Sequence, residues 1–132
     1  MTSKVSYLGN LRTSCQHLSS GTTIITDAPV DNHGKGEAFS PTDLVATSLA
    51  SCMMTIMGIY CQEHEIEFNF CEASVLKIMA ASPRRIEKVI VEMDLKGNDW
   101  DEKTLQKVIA AGRACPVART LEGNVELEFK FI

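Results

Sequence analysis

The longest hydrophobic segment of the chain runs from Leu44 to Tyr60 and contains no charged residue. A helix with one face in solvent carries polar side chains along that face. This segment is instead apolar or small on every side, so it predicts a helix that is surrounded by protein. In a chain of 132 residues, the pattern favours a second subunit that covers part of the helix.

A strong helix-start signal precedes this segment in residues 40–43, with the sequence SPTD. Ser40 is suited to the N-cap and Pro41 to the first helical position. Asp43 is placed to bond back to the cap residue, as in a capping box. We therefore predict a helix from Pro41 to about residue 63 or 64.

Alternating apolar and polar positions predict β-strands on both sides of this helix. The predicted strands are residues 4–18, 22–26, 67–80, 85–95 and 125–131, and a second, amphipathic helix covers residues 101–113. Turn-forming residues at 19–21 predict an N-terminal hairpin, and residues 27–38 predict an irregular loop. With a short helical turn after Cys115-Pro116, the order is ββαββααβ, an α+β fold in a single domain of residues 1–132.

Composition excludes several classes of function. The net charge is −4, and the 13 basic residues are dispersed, which argues against nucleic-acid binding. Hydroxyl side chains interrupt the apolar segment, and no basic-then-apolar leader pattern opens the chain, so we expect neither a membrane span nor a signal peptide. The five cysteines are odd in number and widely spaced, which favours a reducing, cytoplasmic location.

Two of the cysteines have unlike surroundings, and this contrast indicates thiol redox chemistry. Cys52 lies inside the apolar helix, where cysteine usually serves as a small hydrophobic residue. Cys115 precedes Pro116, so it is a candidate N-cap whose thiolate would be favoured by the unpaired N–H groups of a helix. A cysteine buried in a half-turn is an equally good interpretation of Cys115 from sequence alone.

The remaining cysteines have no partner at a motif spacing, and we interpret them as packing residues. They are Cys15, Cys61 and Cys71. Cys61 and His64 would share a helix face, but no second pair of ligands follows them. We therefore do not predict a metal site.

The order of these motifs resembles the OsmC and Ohr family over nearly the whole chain. The residues that carry the resemblance are Phe39-Ser40-Pro41-Thr42-Asp43-Leu44, Ser51-Cys52 and Cys115-Pro116-Val117. The resemblance implies an intertwined homodimer in which curved antiparallel sheets wrap two central helices. It also implies two active sites at the subunit interface.

In function, the resemblance implies a peroxidase that reduces organic hydroperoxides in defence against oxidative stress. By motif, Cys52 is the peroxidatic cysteine, which becomes a sulfenic acid, and Cys115 is the resolving cysteine, which forms a disulfide with it. Counting back from Gly21, the family's hairpin arginine falls on Arg12. No organic cofactor is implied, but an external dithiol is needed to reduce the disulfide.

One position departs from the family pattern. The family's glutamate, which pairs with the arginine, is expected directly after Pro41, where this chain has Thr42. Asp43 is a poor substitute, since at about 100° per residue it lies on the helix face opposite Cys52. We expect Glu37, in the preceding loop, to fold back towards Arg12 within one subunit or across the dimer.

The missing glutamate keeps a second interpretation open. In that interpretation the protein is a non-catalytic dimer that binds a small apolar or thiol ligand, and its cysteines are a redox-sensitive remnant. A third interpretation is a structural dimer with inert cysteines. Apolar surface for an organic peroxide would come from Phe39, Met53, Met54 and Met57, although methionines in such a helix more often belong to the core.

Overall fold

The computed structural model describes all residues, 1–132, as six strands and three α-helices. The strands are β1 (Ser3–Gly9), β2 (Arg12–His17), β3 (Thr23–Asp27), β4 (Glu72–Ala80), β5 (Arg85–Asp94) and β6 (Glu126–Phe131). The helices are α1 (Pro41–Glu63), α2 (Glu102–Arg113) and α3 (Pro116–Leu121), with a 3₁₀ turn at Val30–Asn32. The chain forms two compact units, residues 1–45 and 46–132. The predicted α+β class is confirmed.

The first unit contains an antiparallel sheet in the order β1-β2-β3. The predicted single strand at residues 4–18 is wrong, because the chain reverses at Gly9-Asn10-Leu11. All three of these residues have positive φ angles, of 86°, 55° and 63°. Glycine and asparagine tolerate this region better than other residues, so the Gly-Asn pair was a turn signal that the alternating pattern around it masked. The predicted hairpin between β2 and β3 is confirmed.

The first turn of α1 contains the predicted capping box. The Ser40 backbone N–H donates to Asp43 Oδ2 at 3.0 Å, and the Asp43 N–H donates to Ser40 Oγ at 3.1 Å. These reciprocal bonds satisfy two backbone groups that a helix start otherwise leaves open. The helix therefore begins at Pro41, as predicted, and it ends at Glu63.

The second unit contains a mixed sheet in the order β4-β5-β6. Strands β4 and β5 pair antiparallel, whereas β5 and β6 pair parallel, so the expectation of antiparallel sheets is wrong for this pair. Helices α2 and α3 lie between β5 and β6 in the chain. A crossover of this kind returns the chain to the end of the sheet where β5 began, which makes the next strand parallel.

Strand β4 begins at Glu72, five residues later than predicted. The side chain of Asn98 forms hydrogen bonds with the backbone of the segment just before it. Asn98 Oδ1 accepts hydrogen bonds from the N–H groups of Asn69 and Phe70 at 2.8 and 3.1 Å, and its Nδ2 donates to the Phe70 carbonyl at 2.7 Å. Those groups are therefore satisfied without a strand partner.

The core of the second unit is one cluster that combines the inner face of α1 with β5 and α2. Leu49, Met53 and Met57 of α1 are fully buried in this cluster. By length and composition alone, α1 would suffice to cross a membrane, but the core helix of a soluble protein meets the same criterion. The prediction that protein surrounds α1 on every side is not met within one chain, since Val45 and Ile59 are exposed.

Candidate active site

Cys52 lies in the middle of α1 and is half-buried against the core of the second unit. Its neighbours on the helix are small or apolar, and Met53 beside it is completely buried. The helix therefore fixes the position of the sulfur without enclosing it fully. A cysteine in such a position combines a defined geometry with access for a small reactant.

Cys115 is the N-cap of α3, as one interpretation of the sequence predicted. Its backbone is extended, Pro116 occupies the start of the helix, and Sγ accepts the Ala118 N–H at 3.4 Å. The residue is also completely buried. The capped and the buried interpretations of Cys115 are therefore both correct.

Burial dominates the acid-base chemistry of this thiol. It raises the pKa of Cys115 above the ordinary value of 9.0, and the N–H of Ala118 opposes that rise only in part. The neighbouring Cys52 raises the pKa further. The expectation that the N-cap position would lower the thiol pKa is therefore wrong in its net direction. Burying the thiolate costs more free energy than the backbone N–H groups of Ala118 and Val117 return.

The fold places the two cysteines together. The Cys52 thiol lies close enough to Cys115 to raise the pKa of the Cys115 thiol, and both residues are free thiols. Sequence could not establish this proximity, because α1 and α3 are separated by a sheet hairpin and a second helix. Two adjacent thiols, one half-exposed and one buried, form a pair that is able to alternate between dithiol and disulfide.

The first unit holds Arg12 between two carboxylates. Arg12 Nε donates to Asp27 Oδ1 at 2.8 Å, and Nη2 donates to Asp27 Oδ2 at 3.0 Å. Nη2 also donates to Glu37 Oε2 at 3.2 Å. Asp27 is 1% exposed, whereas the Glu37 side chain is 66% exposed. The guanidinium thus has one buried partner with two bonds and one exposed partner with a single bond.

These contacts change the acid-base properties of the cluster in opposite directions. The hydrogen bonds and charge of Asp27 raise the pKa of Arg12, which stays protonated throughout the accessible pH range. The bonds from Arg12 hold the pKa of Asp27 below its ordinary value of 3.8, although burial opposes that shift. Arg12 and Asp27 therefore both keep their charges at any pH near neutrality.

A compact loop presents Glu37 to Arg12. The Asp27 N–H bonds to the Phe39 carbonyl at 3.1 Å, and the Gly36 N–H bonds to the Ala28 carbonyl at 3.2 Å. A Cβ atom at Gly34 would overlap the Ala28 carbonyl, so only glycine permits this close approach. The fold of the loop thus brings Glu37, which the sequence analysis named as a partner of Arg12, within hydrogen-bonding distance.

Thr42, at the position of the family's glutamate, lies in the first turn of α1. Its hydroxyl is 3.2 Å from Ser40 Oγ. The Asp43 carboxylate bonds to the Ser40 backbone, as its capping role requires. Arg12 forms its side-chain hydrogen bonds with Asp27 and Glu37.

Asp27 is the site residue that sequence reasoning missed, since it was assigned to the start of an irregular loop. In the sheet, Asp27 of β3 lies directly opposite Arg12 of β2. Opposed residues of an antiparallel pair project from the same face of the sheet. With the hairpin turn centred between residues 19 and 20, the register alone would have paired these two positions.

The other candidate residues have structural surroundings. Cys61 is buried, and its burial raises the pKa of its thiol. The His64 ring stacks on Tyr60, and its Nδ1 lies 2.8 Å from the Tyr60 carbonyl oxygen. No group of three or more His, Cys, Asp or Glu side chains is arranged to hold a metal ion. Met53 and Met57 belong to the core, whereas Phe39 is exposed.

Comparison with solved structures places this arrangement in a known fold. A crystal structure from Psychrobacter arcticus, provisionally described as an osmotic stress-induced and detoxification response protein, is 48% identical and superposes with a TM-score of 0.94 over 100% of this chain and 96% of that one. The organic hydroperoxide resistance protein OsmC of Legionella pneumophila is 16% identical, with a TM-score of 0.76 over 99% and 96% of the two chains. The organic hydroperoxide resistance protein OhrB of Bacillus subtilis is 20% identical, with a TM-score of 0.68 over 100% and 98%.

The search of curated proteins returned no match to this chain. The family model described as OsmC-like protein matches residues 34–130, a range that includes the start of α1 and both Cys52 and Cys115. The chain therefore belongs to the OsmC-like family.

Proposed function

We propose that the protein is a thiol-dependent peroxidase that reduces organic hydroperoxides and so contributes to defence against oxidative stress. The observation that carries this proposal is the placement of the Cys52 thiol beside Cys115. Family membership supports it, because similar structures include organic hydroperoxide resistance proteins of L. pneumophila and B. subtilis. The exposed ring of Phe39 offers apolar surface to an organic substrate.

The proposed reaction has two steps on the protein. The Cys52 thiolate attacks one peroxide oxygen, so that an S–O bond forms while the O–O bond breaks and the alcohol leaves after it takes up a proton. Cys52 is then a sulfenic acid, oxidised by two electrons. The sulfur of Cys115 next attacks the sulfur of Cys52, and the hydroxyl group leaves as water with the proton of Cys115.

An external dithiol completes the cycle by thiol–disulfide exchange. It supplies two electrons to reduce the Cys52–Cys115 disulfide and is itself oxidised to a disulfide. The cysteines supply all the redox chemistry, so the proposal includes no organic cofactor and no metal. It also places the protein in a reducing compartment such as the cytoplasm, where a dithiol donor is maintained.

Arg12 is the proposed cation of the thiolate site. A thiolate in apolar surroundings needs a fixed positive charge to offset desolvation, and guanidinium stays charged while it offers several donors in one plane. Asp27 and Glu37 occupy Nε and Nη2. The two N–H bonds of Nη1 therefore remain for sulfur or for a peroxide oxygen.

We also propose that the protein works as a homodimer. Val5, Tyr7 and Ile24 share one face of the first sheet by register and are 60%, 68% and 47% exposed. Val45 and Ile59 add exposed apolar surface on α1. Exposed apolar surface of this kind favours association, and light scattering coupled to gel filtration tests the expected doubling of the 14.5 kDa chain mass.

The decisive experiment treats the reduced protein with one equivalent of cumene hydroperoxide and maps its thiols by mass spectrometry, beside Cys52→Ser and Cys115→Ser. Peroxide consumption is followed in parallel with excess dithiol. We expect a rapid Cys52–Cys115 disulfide and sustained turnover in the unmodified protein only. An unmodified Cys52 without turnover would instead favour the non-catalytic binding protein.

A further inference from the structure

The pair formed by Arg12 and Asp27 has the geometry of a fixed anchor rather than of a surface ion pair. Both carboxylate oxygens are used, at 2.8 and 3.0 Å, by two different nitrogens of the guanidinium. Bidentate bonds of this kind fix the plane of the guanidinium as well as its distance. The orientation of Arg12 is therefore defined before any ligand binds.

Asp27 itself is held on its other side. Its Oδ2 accepts the backbone N–H of Glu37 at 3.1 Å in addition to the Arg12 bond. Its own backbone belongs to β3, directly across from Arg12, and the residue is 1% exposed. A buried carboxylate with three donors on its oxygens has little freedom to rotate.

Glu37 is more exposed than Asp27 and makes fewer hydrogen bonds to Arg12. It contributes one side-chain bond to Arg12, at 3.2 Å, from an exposed position in a loop. An exposed single-contact pair is screened by water and contributes little. Removing the Glu37 carboxylate would leave both Asp27 bonds in place, whereas removing the Asp27 carboxylate would leave the guanidinium with a single bond to an exposed side chain.

We propose that Asp27 is the positioning residue for Arg12, which fixes the plane of the guanidinium and so the direction of the N–H groups that Asp27 and Glu37 do not use. This inference rests on the proposed function for the role of Arg12, and it assigns to a strand residue the restraint that the family's glutamate, replaced here by Thr42, implies for the arginine. Asp27 acts through Arg12 and does not touch the reacting atoms. The anchor lies in the same sheet as Arg12, so residues 1–45 preset the guanidinium on their own.

The test is a double-mutant cycle between Asp27→Asn and Arg12→Gln in the full chain. The readouts are kcat/KM for cumene hydroperoxide and the pH profile of Cys52 alkylation, which is quantified by peptide mass spectrometry. We expect Asp27→Asn to lower kcat/KM by roughly 10- to 100-fold and to move the alkylation profile of Cys52 to higher pH. In the Arg12→Gln background, the same substitution should change neither quantity.

Two single variants complete the design. Glu37→Gln should lower kcat/KM by no more than about five-fold, as suits an exposed pair. Asp99→Asn, the same substitution at an exposed position outside the site, should have no effect and controls for the chemical change itself. Circular dichroism identifies any variant that fails to fold, and the pH profile of Cys52 alkylation is compared among folded variants only. If Asp27→Asn fails to fold, Asp27→Glu takes its place in the comparison.

The outcomes separate this inference from the proposed function. Loss of activity from Asp27→Asn that persists in the Arg12→Gln background would overturn the inference, because Asp27 would then act by another route. An Asp27→Asn variant with normal kinetics and a normal Cys52 profile would overturn it as well. If the unmodified protein fails to turn over peroxide, the proposed function fails, while a matching shift of the Cys52 profile in Asp27→Asn and Arg12→Gln would still support the anchor.

Discussion

The thiol of Cys115 lies beside that of Cys52 in the folded chain, although the two residues belong to different helices. Their environments differ, since Cys115 is completely buried and Cys52 is half-buried. In the proposed mechanism, the accessible sulfur of Cys52 reacts with the peroxide, and the buried sulfur of Cys115 reacts only with the oxidised Cys52.

Replacing Cys115 with serine should stop the catalytic cycle after its first step. Without a resolving thiol, the sulfenic acid at Cys52 persists, so one equivalent of peroxide is consumed and sustained turnover is lost. Trapping with dimedone should place the adduct on Cys52, as seen by peptide mass spectrometry. Cys52→Ser is the matched control and should give no adduct at all, whereas sustained turnover by Cys115→Ser would mean that another thiol resolves the intermediate.

The buried thiol should make stability decline in alkaline solution. The pKa of Cys115 is raised in the folded chain above the value near 9.0 that the unfolded chain retains. Between those two values the folded state binds more protons than the unfolded state, so the free energy of unfolding falls as the pH rises above about 9. Urea denaturation at pH 7 to 10.5 should show a steeper loss for the unmodified protein than for Cys115→Ala. Parallel curves for the two proteins would contradict this assignment.

The capping box should make a measurable contribution to stability. Ser40→Ala removes the oxygen that accepts the Asp43 N–H, and it should lower the free energy of unfolding by about 1 kcal/mol. Ser40→Thr keeps a hydroxyl at the cap and should cost less. Chemical denaturation of the three proteins measures the difference, and equal midpoints for Ser40→Ala and the unmodified protein would show that the cap is dispensable.

Two glycines in helices should respond oppositely to the same substitution. A Cβ at Gly112 of α2 would lie 2.5 Å from Met57 Cε and 2.9 Å from its Cγ, so Gly112→Ala overpacks the core and should destabilise by about 1–3 kcal/mol. At Gly58 of α1 the nearest atom, in Phe68, is 3.8 Å away. Gly58→Ala should therefore stabilise by roughly 0.5–1 kcal/mol through its higher helix propensity. Thermal denaturation of both variants provides the comparison, and a shared sign would refute this packing argument.

Local sequence determined most of the secondary structure. The bounds of α1 follow from the SPTD signal and from an apolar segment too long for a strand, and the N-cap geometry of Cys115 follows from the proline after it. These features depend on backbone groups within a few residues of one another, so the local sequence is sufficient to predict them. The turn at Gly9-Asn10 was of the same kind, and it was missed only because apolar and polar residues keep alternating around it.

The tertiary structure alone decided that the two cysteines share a site. The proximity of Cys52 and Cys115 depends on how α1 and α3 pack, whereas the pairing of Arg12 with Asp27 follows from the register of the local β2–β3 hairpin. The pKa of Cys115 likewise rises because of burial, a quantity that the tripeptide around the residue does not contain. Residue types determined which chemistry is available to this chain, whereas long-range packing determined which groups meet and how far each is removed from water.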